Sequence, residues 1–284
     1  MRWKSGRRST NIDDRRGRNV RRGFAGGGIG TIVLILVAMY FGVDPSLVMR
    51  TLQTVETRQP QSQSAPAKPV EGSEADFVAV VLADTEDTWN AIFANSRQDY
   101  REPKLVLFTD AVKSRCGFAN AAVGPFYCPA DQHIYLDLSF FRELHSRFGA
   151  PGDFAQAYVI AHEVGHHVQN LLGISNEVRR QQSGMSKAAA NELSVRLELQ
   201  ADCLSGVWAH NADRARSILE AGDIDEGLRA ATAIGDDTLQ KQSQGYVVPD
   251  SFTHGSSAQR VRWFRRGLES GSFDACDTFS ASNL

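Results

Sequence analysis

The chain carries almost no net charge. Its 31 Lys and Arg stand against 33 Asp and Glu, a formal balance of −2 over 284 residues. The folded part is acidic, with 19 basic against 27 acidic residues over positions 76–284, which argues against nucleic acid as a partner. No repeat of fixed period is present, so one ordinary globular domain plus some non-globular sequence is expected. Cysteine is scarce: Cys116, Cys128, Cys203 and Cys276 are all there are, and no two stand in C-x-x-C spacing. A zinc site made of cysteines is thereby disfavoured against disulfides. Four cysteines allow three connectivities; the expected pairs are Cys116 with Cys128, which close a short loop, and the remaining Cys203 with Cys276.

Charge is also missing locally. Between Arg22 and Asp44 lie 21 residues without a charged side chain, including Ile32-Val33-Leu34-Ile35-Leu36-Val37, enough helix to cross the roughly 30 Å hydrocarbon core of a bilayer. No small-x-small cleavage site follows Val43, which favours a retained transmembrane helix over a cleaved signal peptide. Nine Lys or Arg and two Asp fall within residues 1–22, and the positive-inside rule keeps such a segment cytoplasmic. The expected order is therefore a basic cytoplasmic segment 1–22, a transmembrane helix 23–43, a flexible linker 44–75 rich in Gln, Ser, Pro and Thr, and a catalytic domain 76–284. That domain would be extracytoplasmic (periplasmic or cell-surface), where disulfides persist.

Within the domain, the apolar spacing from Phe77 to Phe93 suits one amphipathic helix. Residues 104–108 and 133–138 read as strands, with turns at Gly117, Gly124, Pro125 and Pro129 between them. Asp153 is placed to cap a helix that Gly173 ends. A second long helix runs from about Ser186 to Gln200 and onward to Trp208, and Gln259 to Trp263 is helical. A few strands beside many helices give an α+β, mainly helical fold.

The first of these long helices carries His162-Glu163-Val164-Gly165-His166, an H-E-x-x-H pattern. Residues four apart on a helix differ by only about 40°, so both imidazoles reach one metal ion. Glu163 sits on the same rim, positioned as general base on a water. A catalytic zinc site needs a third protein ligand and one open position. A third histidine would stand at 172 with glycine at 169; the chain has Leu172 and Gln169. The alternative is a carboxylate from a later helix, and Glu198 fits, with Asp202 four residues on to accept the other ring N–H of a ligand histidine. One Zn²⁺ on His162, His166 and Glu198 is expected. His254, in a Gly- and Ser-rich loop, is a candidate oxyanion donor, with Tyr127 a second candidate. His133, His167 and His210 read as solvent or packing histidines, Arg260 and Arg262 as surface or ion-pair groups.

Taken together, Met1-Arg2-Trp3, Asp13-Asp14-Arg15-Arg16-Gly17, Gly124-Pro125-Phe126-Tyr127-Cys128-Pro129, Ala157 to Gln169, Glu198-Leu199-Gln200-Ala201-Asp202-Cys203, Gly235-Asp236-Asp237 and Thr253-His254-Gly255 resemble the YpfJ-type neutral zinc metallopeptidases over nearly all of the chain outside the linker. The resemblance implies a zincin-like domain of the gluzincin kind. The expected function is membrane-anchored, zinc-dependent hydrolysis of peptide or protein substrates. The alternatives are a non-catalytic zinc-containing extracytoplasmic binding module and hydrolysis of a non-peptide amide.

Overall fold

The computed structural model describes residues 1–17 and 73–284. The expected transmembrane helix 23–43 and nearly all of the linker lie outside the described residues. Among the described residues no helix is long and apolar enough to cross a membrane.

Among the described residues, six strands and eight α-helices follow in chain order: β1 (Ile12–Asp14), α1 (Glu74–Asn95), β2 (Lys104–Phe108), β3 (Ala111–Ser114), β4 (Gly117–Asn120), β5 (Phe126–Cys128), β6 (His133–Asp137), α2 (Ser139–Ser146), α3 (Asp153–Leu171), α4 (Ile174–Gln182), α5 (Lys187–Arg216), α6 (Asp223–Ala233), α7 (Asp236–Gln244) and α8 (Ser257–Ser270). The α+β, mainly helical expectation holds. One sheet has the order β1-β2-β6-β5, with β1, β2 and β6 parallel and β5 antiparallel at the edge; β3 and β4 form a separate hairpin. Leu105, Val106, Leu107 and Phe108 of β2 are all buried, as a strand covered on both faces requires. Three helix starts follow capping chemistry: the hydroxyls of Ser73 and Ser186 accept from Asp76 N and Ala189 N, and Ser256 with Gln259 forms a complete capping box; α3 instead starts after Gly152, with Asp153 in its first turn rather than as its cap.

The helix carrying the H-E-x-x-H pattern, α3, lies in the core. Phe154, Ala155, Ala157, Tyr158, Ile160, Ala161, Val164 and Val168 are all at most 1% exposed, and the helix packs against α1, α5 and α6. It ends where Gly173 takes a left-handed conformation, φ 79°, which costs glycine nothing. Gly165, inside the motif, permits its approach to α5: a Cβ there would stand 3.0 Å from the Ala201 carbonyl oxygen and 3.2 Å from its Cα. Both expected disulfides form, Cys116–Cys128 and Cys203–Cys276. The second ties the C-terminal segment to α5.

One expectation is corrected by the fold. Residues 1–17 are part of the same compact unit as residues 74–284, so the domain does not begin at Asp76. Asp13 of β1 pairs with Val106 of β2. Arg7 bonds Glu86, Arg8 bonds Asp76, and the Met1 ammonium sits 2.6 Å from Asp153 Oδ1 at the start of α3. The arginines read as orientation signals are consumed in part by ion pairs, Arg15 with Asp13 and Arg16 with Asp14. A cytoplasmic arm with the domain across a bilayer would break the β1–β2 ladder.

Candidate metal centre

Two packed helices place the ligand candidates. His162 and His166 lie one turn apart on α3, and Glu198 faces them from α5. One ligand atom from each lies within 4.8 Å of the others. His162 Nε2 stands 3.2 Å from Glu198 Oε2, and His166 Nε2 stands 3.4 Å from Glu198 Oε1.

The opposite ring nitrogens are committed elsewhere. His162 Nδ1 donates to Asp202 Oδ1 at 2.8 Å, and His166 Nδ1 donates to Gln169 Oε1 at 2.9 Å. A neutral imidazole holding its proton on Nδ1 presents a bare lone pair at Nε2. Two such lone pairs facing a carboxylate define a place for a cation, and the donor set of two imidazoles and one carboxylate suits zinc. Charge preferences agree. Burial disfavours charge on His162, but Asp202 and then Glu198 outweigh it and push the imidazole up to about 10. Burial opposes charge on Glu198 as well, yet His166 and His162 hold it well below the ordinary carboxylate range. Both shifts call for positive charge at one point.

Each positioning group is held in turn. Asp202 is fully buried. It accepts from Tyr158 Oη at 2.5 Å and from Arg260 Nε and a terminal nitrogen of the same guanidinium at 2.9 Å each. Burial raises its pKa, but Arg260 and His162 lower it further, so it stays ionised. Gln169 orients its carbonyl toward His166 by donating its amide to Leu197 O and Gln200 Oε1. Gln200 then donates to Cys276 O, which carries the chain of bonds to the disulfide. Of the two readings of Arg260, surface or ion-pair group, the second holds: it is 2% exposed and pairs with Asp202 behind His162. Arg262 is exposed.

A cavity of about 740 Å³ opens over this centre. Glu163 and His254 line it with the three ligand candidates, and Phe126, Phe140, Phe148, Ile234 and Leu239 supply apolar walls. Burial raises the pKa of Glu163, against the pull of His166 and His162. His254 Nδ1 contacts Asp236 Oδ1 at 3.3 Å, and Asp236 Oδ2 accepts the backbone N–H of Thr253, His254 and Gly255. One carboxylate thus fixes both the loop and the ring. The Tyr127 hydroxyl is engaged instead with His167 Nδ1 at 3.0 Å and Asn170 Nδ2 at 3.1 Å, which removes it as an oxyanion donor. His167 is buried and its Nε2 donates to Arg101 O. Desolvation drives its pKa down to about 4, so it is a neutral structural group.

Sequence reasoning missed Gln169, Asp236 and Arg260 as parts of the centre. Gln169 stands three residues after His166, the one of the three whose helical spacing could have found it.

Two imidazoles and one carboxylate that could hold a metal ion, with a glutamate beside the first histidine and a cavity above, are the arrangement a metallopeptidase requires. The chain belongs to the family described as putative neutral zinc metallopeptidase, whose model matches residues 1–279. It is 48% identical over 294 aligned positions to the uncharacterized protein YpfJ of Escherichia coli, covering 99% of this chain and 100% of that protein. Uncharacterized proteins of Mycobacterium bovis and Mycobacterium tuberculosis are 41% identical over 259 positions, covering 87% of this chain and 86% of theirs. No solved structure matches.

Proposed function

We propose that this protein is a zinc-dependent peptidase in which His162, His166 and Glu198 hold one Zn²⁺ and Glu163 moves the proton. When bound, zinc supplies Lewis-acid chemistry, polarising a scissile carbonyl and acidifying a water. Glu163 takes that proton and delivers it to the leaving amine, and its burial suits the exchange by raising its pKa. His254, oriented by Asp236, donates to the oxygen that gains charge. The substrate is a peptide or protein, laid along β5, whose outer edge is unpaired among the described residues.

The observation that carries this reading is the number of ligands: the described cluster contains three side chains. A purely structural zinc is closed by four, whereas a hydrolytic centre keeps a position open. We place the domain outside the cytoplasm because its four cysteines pair as two disulfides.

The decisive variant is Glu163→Gln. It should keep one equivalent of zinc by elemental analysis while peptide hydrolysis falls by about 10³-fold, within the range for loss of a general acid–base. Turnover like that of the unaltered protein would sink the mechanism.

A further inference from the structure

The cavity of about 740 Å³ is not the only space that meets His166 and Glu198. A second pocket, of about 250 Å³, shares with it only Tyr127, His166 and Glu198. The second pocket runs between α4 and the start of α5, past Val178 and Leu197, and reaches Arg179. Arg179 and Pro129 also line a third cavity, of about 500 Å³, opposite Arg101. Shared walls set the three spaces side by side: the larger cavity and the second pocket meet at Tyr127, His166 and Glu198, and the second pocket and the arginine-lined cavity meet at Pro129 and Arg179.

The charge on that last cavity is of one sign. Its ionisable side chains are Arg101 and Arg179, and its remaining polar lining includes the amides of Gln132, Asn170 and Asn176. Among the described residues neither guanidinium takes part in an ion pair, whereas the adjacent Arg180 is already paired with Glu177. The nearby Asp131 does not line the cavity; its oxygens accept from Arg115 N, His133 N and the Tyr135 hydroxyl. Two unpaired guanidinium groups with amide donors suit a carboxylate, which they can grip with several parallel N–H bonds.

Resting on the peptidase reading, we propose that Arg101 and Arg179 form a carboxylate-binding subsite at one end of the substrate cleft, with the apolar wall of the larger cavity, formed by Phe126, Phe140, Phe148, Ile234 and Leu239, taking a bulky apolar side chain at the other. The substrate is then a polypeptide of marked polarity, apolar on one side of the scissile bond and acidic on the other. The carboxylate comes from an Asp or Glu side chain or from a free C-terminus, and the same recognition serves both.

The test uses the full chain loaded with zinc and fluorescein-labelled peptides carrying Glu, Gln or Lys at each of four positions on either side of a Phe, each with a free or amidated C-terminus. Cleavage is followed with the unaltered protein. Binding is followed by fluorescence anisotropy with the zinc-loaded Glu163→Gln variant, so that recognition is read without turnover. Glu should be preferred over Gln by about fivefold at positions on one side only, the size expected of a solvent-accessible ion pair, and the preference should shrink as salt rises. Arg179→Glu and Arg101→Glu, both at exposed positions, should turn it into a preference for Lys at the same positions. Loss of binding on C-terminal amidation alone would assign the site to a terminal carboxylate. Charge preference in binding without any cleavage would keep the subsite and overturn the peptidase reading. Absence of charge preference in the unaltered protein, or its persistence in both reversal variants, overturns the subsite.

Discussion

At the scale of single residues the centre is organised by oxygens behind the ligands. Asp202 and Gln169 each accept a hydrogen bond from Nδ1 of one imidazole, and this leaves Nε2 free to bind metal. Losing such a partner typically weakens metal binding 10- to 100-fold. Gln169→Ala should therefore lose about tenfold in zinc affinity by chelator competition, with far-UV circular dichroism unchanged; undiminished affinity would show that packing alone sets the His166 tautomer. His254 makes a second case. Its hydrogen bond to Asp236 raises its pKa, outweighing burial, and Glu198 adds to the rise. A raised pKa keeps the imidazolium past its ordinary range, and the charge is lost as pH climbs through the shifted value. If the charged ring stabilises the oxyanion, kcat/KM falls on that alkaline limb. Asp236→Asn should move the limb to lower pH, and a limb that stays put would separate His254 from the chemistry. The clustering of His162, His166 and Glu198 and the place of Asp202 behind His162 were legible in the sequence because helical spacing aligns 162 with 166 and 198 with 202. Arg260 was not: it meets Asp202 across 58 residues of chain, and only the packing of α8 on α5 creates that contact.

At the scale of elements, the centre depends on how closely α3 approaches α5. Gly165 sets that distance, and its neighbours at 3.0 and 3.2 Å are backbone atoms of Ala201 rather than flexible side-chain ends. Two effects of Gly165→Ala compete. Helix propensity favours alanine by about 1 kcal/mol, whereas forcing a methyl into a tight core contact costs about 1–3 kcal/mol. Because backbone must move, the steric cost should win. We expect a net loss of about 1 kcal/mol in urea unfolding, together with weaker zinc binding as Glu198 recedes from His166; a more stable variant with full affinity would show that the helices do not constrain each other there. Long elements were legible for the same local reasons as the motif. The expected helix after Ser186 extends in fact to Arg216, past glycine at 206, because that residue lies against α8, where a Cβ would meet backbone. The three-residue strands β1 and β5 were not legible: alternation needs more residues than they have. β1 is Ile-Asp-Asp, a polar run that becomes a strand only because β2 offers it an edge.

At the scale of the whole molecule, that same short strand decides how the chain can sit with respect to a membrane. Composition read residues 1–22 as a basic arm left behind in the cytoplasm, yet Ile12 is buried and paired with Leu105, and Arg7 and Arg8 face Glu86 and Asp76 of α1. Both carboxylates are buried while the guanidinium groups are partly exposed, so these pairs hold the arm more firmly than surface pairs would. The ladder and the burial of Met1 and Ile12 add the remainder. Residues 1–17 and 73–284 belong to one compact unit, and we propose that both lie on the same side of a membrane. Lys4 and Glu269 are both exposed in that unit, and all four native cysteines are paired. Lys4→Cys and Glu269→Cys, made singly, should therefore react alike with a membrane-impermeant maleimide applied to intact cells. If the extracytoplasmic placement is right, both label; labelling at position 269 with protection at position 4 would mean that the arm is left across the membrane and that β1 does not pair in the cell.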